Sequence, residues 1–74
     1  MKDKVLKILN DARPEFDFLK SDKFIEGGYL DSFDIVSVVN DIEDVFEISI
    51  DGLDIIPENF NSLDSIITLI NKSK

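Results

Sequence analysis

The sequence predicts an all-α fold, a small bundle of three main helices plus one short helix. Three observations predict it. Apolar residues recur at spacings of three and four in three separate stretches, each long enough for several helical turns. Capping residues or a proline stand where those stretches begin or end. The one short run that alternates like a strand, Ile48-Ser49-Ile50, has no second strand to pair with. With 74 residues the chain has room for a single domain over residues 1–74 and one modest core.

The first helix is predicted from about Lys2 to Arg13, with Val5, Leu6, Ile8, Leu9 and Ala12 inward and Lys4, Lys7 and Asn10 outward. Asp3 is its expected cap, and Pro14 marks its end. Residues 14–31 carry Phe16, Phe18, Leu19, Phe24, Ile25 and Leu30, too many apolar groups for a solvated linker. They read as an ordered loop laid across the helices, with a turn near Phe16 to Lys20 and backbone freedom at Gly27-Gly28. The second helix is predicted over Ser32 to Phe46, capped by Asp31 or Ser32. Its core stripe is Ile35, Val38, Val39, Ile42, Val45 and Phe46. Residues Glu47 to Pro57 read as a loop. Pro57 opens a short helix through about Phe60. The last helix is capped by Asn61 or Ser62 and carries Leu63, Ile66, Ile67, Leu69 and Ile70 as its apolar residues, with Asp64 and Lys72 suited to its dipole.

Composition excludes several functions. The chain has no Cys and no His, so disulfides, thiolate nucleophiles, soft metal sites and imidazole proton transfer are all unavailable. No catalytic residue and no metal site is expected. The formal net charge is −8, and from Phe24 to Asn71 eleven acidic residues face no Lys or Arg. Such a field repels nucleic acid and anionic membranes and attracts basic protein surfaces. Lys7 breaks the apolar run near the start, and no window supports membrane insertion. A cytoplasmic monomer is expected.

The stretch that carries chemistry is Gly27-Gly28-Tyr29-Leu30-Asp31-Ser32-Phe33-Asp34-Ile35-Val36. By itself an Asp-Ser pair opening a helix is a common capping signal. The run Leu30-Asp31-Ser32-Phe33, however, resembles the Asp-Ser-Leu triplet of the acyl carrier protein family, with its peptidyl and D-alanyl relatives. Phe33 stands in the usual Leu place. The likeness continues through Asp34, Val36, Ile42, Glu43, Asp44 and Phe46, then Glu47-Ile48-Ser49-Ile50 and Pro57-Glu58-Asn59-Phe60-Asn61-Ser62, and so covers essentially the whole chain.

That resemblance implies an acyl-carrier-like bundle that performs no reaction itself. Ser32 would carry 4'-phosphopantetheine, attached from coenzyme A by a phosphopantetheinyl transferase that Asp31 helps to recognise the site. The arm's thiol would hold acyl groups as thioesters for delivery to partner enzymes. Those partners would be loading and transferring enzymes with basic docking surfaces, meeting Asp34, Asp41, Glu43, Asp44 and Glu47 around the apolar pair Phe33 and Val36. Phe33 lies opposite the core stripe, so it either meets partners or folds back onto the preceding loop. Ser37 and Asn40 depart from the common fatty-acid carrier pattern, where an acidic residue and Met are frequent. A discrete aminoacyl, peptidyl or D-alanyl carrier is therefore the alternative. An unmodified acidic interaction module, with Ser32 merely a cap, is a further one. A mimic of nucleic-acid charge is disfavoured, because one helix face concentrates the acids.

Overall fold

The computed structural model describes residues 1–74 and is all-helical, without strands. Helix α1 spans Lys2–Ala12, α2 spans Ser32–Phe46 and α3 spans Leu63–Ser73. Two 3₁₀ turns, Gly52–Asp54 and Pro57–Phe60, lie between α2 and α3. Both α2 and α3 pack against α1, and the second 3₁₀ turn packs against α3 and α2. No helix is long and apolar enough to cross a membrane.

The core is one cluster of 15 buried residues, all of them hydrophobic. α1 contributes Val5, Ile8 and Leu9; α2 contributes Ile35, Val38, Val39 and Ile42; α3 contributes Ile66, Leu69 and Ile70. These are the inward positions expected from helical spacing. The remaining five, Phe18, Phe24, Leu30, Ile50 and Phe60, come from loops and a 3₁₀ turn. Aromatic packing knits the long loop together. Phe16 stacks on Tyr29 at 4.5 Å between centroids, and Phe18 meets Phe24 edge-on at 5.0 Å.

Backbone bonds tie that loop to the far side of the molecule. Asn61 accepts from the Phe24 amide at 2.7 Å through its carbonyl and from the Ile25 amide at 3.0 Å through its side chain. Phe24 in turn accepts from Tyr29 and Leu30, which closes the turn leading into α2. Both glycines of that turn are required. Gly28 has φ +78°, and a Cβ on Gly27 would sit 2.9 Å from the Lys23 carbonyl.

Three expectations need correction. Asp3 does not cap α1: Met1 is the N-cap residue and no side-chain bond closes that end. Val45, placed in the core stripe by its spacing, is 47% exposed. It sits at the edge of the stripe and lines an open cleft of about 410 Å³ between α1 and α2. The loop after α2 contains an additional 3₁₀ turn, formed because Asp51 accepts from the Leu53 amide at 2.9 Å. Of the two caps expected for α3, Ser62 is the one the structure uses, accepting from the Ser65 amide at 3.1 Å.

Candidate functional site

The start of α2 is defined by a reciprocal pair. The Asp31 carboxylate accepts from the Asp34 amide at 3.0 Å, and the Asp34 carboxylate accepts from the Asp31 amide at 3.1 Å. This capping box satisfies two backbone donors and stops the helix from extending backward. Asp31 is therefore the cap, and Ser32 is the first residue of the helix, exposed and relieved of capping. Leu30, immediately before, is only 2% exposed and anchors the entry to the helix in the core. The result is a hydroxyl held at a fixed place on a rigid element, facing solvent.

A third group completes this corner. Arg13, half-buried just after α1, donates from Nε to Asp34 at 2.8 Å, from Nη2 to Asp31 at 3.3 Å and from Nη1 to Glu15 at 3.3 Å. The planar guanidinium can serve three carboxylates at once, which a lysine ammonium on a flexible stem does not do with the same geometry. Asp31 is held below the usual carboxylate range, first by the Asp34 amide and further by the charge of Arg13, against some desolvation. The Arg13 guanidinium is held still more firmly in its charged form, its pKa raised above the ordinary arginine value chiefly by its bond to Asp34 and then by that to Glu15.

The expected partner residues divide into two groups. Phe33 is 86% exposed and Val36 58% exposed, so Phe33 does not fold back onto the loop. Asp41, Asp44 and Glu47 are also exposed. Asp34 and Glu43 are half-buried and also engaged within the protein. Asp34 closes the capping box and binds Arg13, while Glu43 accepts from the Ile50 amide at 2.9 Å and holds the loop after α2. Asp41 and Asp44 share their cleft with Lys4 and Lys7 of α1, so this face is less uniformly negative than the order of residues in the chain suggests. Glu47 closes α2 in the left-handed conformation, φ 54° and ψ 47°, with its amide donating to the Glu43 carbonyl.

Arg13 is the residue that sequence reasoning passes over. Its signal was weak but present: it is the one arginine of the chain, followed by Pro14-Glu15. No group of three acidic side chains is arranged to hold a metal ion. The chain matches no protein-family model, no curated protein and no solved structure.

Proposed function

We propose that this protein is a carrier whose Ser32 hydroxyl is the attachment point for 4'-phosphopantetheine. The observation that carries the reading is the division of labour at the start of α2. Asp31 does the capping, so the neighbouring hydroxyl is free for an enzyme to reach. A serine serving only as a cap would occupy the Asp31 position. Attachment requires the Ser32 oxygen to displace adenosine bisphosphate from coenzyme A, giving up its proton and forming a phosphodiester. Neither base nor metal for that step is needed from this chain if a transferase supplies both. The bound arm supplies the thiol that a chain without Cys lacks, and that thiol carries acyl groups as thioesters.

The surface around Ser32 fits a shuttle. Phe33 and Val36 offer apolar contact beside exposed acids, a combination that speeds encounter with basic partners and still permits release. The test is direct. Purified protein incubated with coenzyme A, magnesium and a broad-specificity phosphopantetheinyl transferase should gain one phosphopantetheine by intact mass, and the Ser32→Ala variant none. An unchanged wild-type mass, or an adduct that survives Ser32→Ala, removes the carrier reading. An acidic helical interaction module would then remain.

A further inference from the structure

We propose that Arg13 is a positioning residue for the modification of Ser32, acting through Asp31 and Asp34; the inference rests on the carrier reading above. Three observations lead to it. Arg13 is the only residue outside the capping pair and its own neighbour Glu15 that reaches this corner with a charged fork, bridging 18 and 21 positions of chain to Asp31 and Asp34. Its bonds fall on oxygens that leave the cap intact: Asp31 uses Oδ1 for the Asp34 amide and Oδ2 for Arg13. Asp34 Oδ2, which accepts from the Asp31 amide, is the same oxygen that takes Arg13 Nε. The guanidinium thus ties both carboxylates of the box to the end of α1.

The geometry has a chemical consequence. An enzyme that recognises Asp31 meets a carboxylate with one fixed rotamer, because each of its oxygens has a partner. The nitrogen that holds Asp31 Oδ2 lies at 3.3 Å on an exposed side, a longer bond than the 2.8 Å contact to Asp34. An incoming basic group can replace the first without disturbing the second. Arg13 therefore presets Asp31 for a transferase while its firmer bond to Asp34 keeps α1 joined to α2. The charged groups facing Asp31 are Arg13, Asp34 and, through Arg13, Glu15.

The test measures kcat and KM for transfer of phosphopantetheine from coenzyme A to the wild type, Arg13→Gln and Arg13→Lys, with far-UV circular dichroism to verify that each is folded. Loss of preorganisation should raise KM for the carrier about fivefold in Arg13→Gln with kcat nearly unchanged, the size expected of a partly exposed ion pair. Arg13→Lys should recover only part of that loss, since it restores charge but not the fork. Carbon-detected NMR titration of the Asp31 carboxyl adds a second readout and should move upward in pH in Arg13→Gln. Unchanged KM in both variants overturns the inference while leaving the carrier reading intact. A wild type that takes no adduct overturns both, so the two failures are distinct.

Discussion

At the start of α2, Asp31 and Asp34 sit at the positive end of the helix dipole, cap one another and bind Arg13. At its other end Asp41, Glu43, Asp44 and Glu47 crowd the negative end, with no basic residue in the last turn. The same residue types stabilise one end and burden the other. Asp41 and Asp44, and Asp44 and Glu47, are three apart, and Glu43 and Glu47 four apart, so neighbours repel along the surface. Glu47 moreover adopts a left-handed conformation that glycine or asparagine fits better. Charges that oppose the helix they sit on are poorly explained by stability, and the partner recognition proposed above would give them a role. Only Glu43, through the Ile50 amide, and the lysines of α1 offset the burden.

The largest expected effect tests what supports the favourable end. Phe24 is fully buried, meets Phe18 edge-on and receives the two amides that lead into Asp31. Phe24→Ala should cost about 3–5 kcal/mol, the range for a buried aromatic. At about 0.05–0.15 kcal/mol per residue, a chain of 74 residues has about 4–11 kcal/mol in all, so the loss is a large share of it. Urea titration followed by circular dichroism should show a largely unfolded or greatly weakened protein. A cost below about 1 kcal/mol would mean that the long loop is an accessory to the helices rather than part of their core.

How far the two ends were legible in the sequence follows from the range of the interactions. The span Ser32–Phe46 matches its prediction, because a cap, helical spacing and a polar break all lie within neighbouring residues. The bundle and the short turn at Pro57 were legible for the same reason, since proline presets the backbone of the turn it opens. The Arg13 bridge and the Asn61 clamp were not, because they join residues 18 to 36 positions apart and no periodicity marks them. Val45 failed differently. Its angle on the helix is nearly inward, and only the open cleft it shares with α1 leaves this edge exposed. The Arg13 bond to Asp34, across 21 positions, belongs with these long-range cases, whereas Glu43 reaches an amide only seven positions on but outside its helix; a helical wheel shows where an acid projects, not what reaches it.

An intermediate effect isolates the cap. Asp31→Asn keeps a capping oxygen but removes the charge, whereas Asp31→Ala removes both. Thermal unfolding near neutral pH should show Asp31→Ala lowered by about 5 °C and Asp31→Asn by less. The pH dependence separates them further. Asp31 in the folded protein lies below its ordinary value of 3.8, so its contribution is present above that pH and fades as pH falls through the lower folded value. Wild type should therefore lose stability on acidification below about pH 4 more steeply than Asp31→Asn. Parallel acid transitions would show that the charge at this end adds nothing beyond the hydrogen bond.

The smallest effect on stability falls at the burdened end, where the effect on encounter should be visible. Replacing Asp41 and Asp44 by Lys removes two charges from the wrong end of the dipole, but brings lysines beside Lys4 and Lys7 in the shared cleft. These changes oppose one another, so the free energy of unfolding should shift by no more than about 0.5 kcal/mol in either direction. Transfer of phosphopantetheine by an enzyme with a basic docking surface should slow about tenfold at low ionic strength. The difference from wild type should shrink as ionic strength rises from about 0.01 M to about 1 M, over which the screening length falls from about 30 Å to about 3 Å. Equal rates at every salt concentration would remove the acidic face from the recognition account. A large loss of stability would instead show that Asp41 and Asp44 hold α1 to α2, and that the two ends of the helix differ less than their surroundings imply.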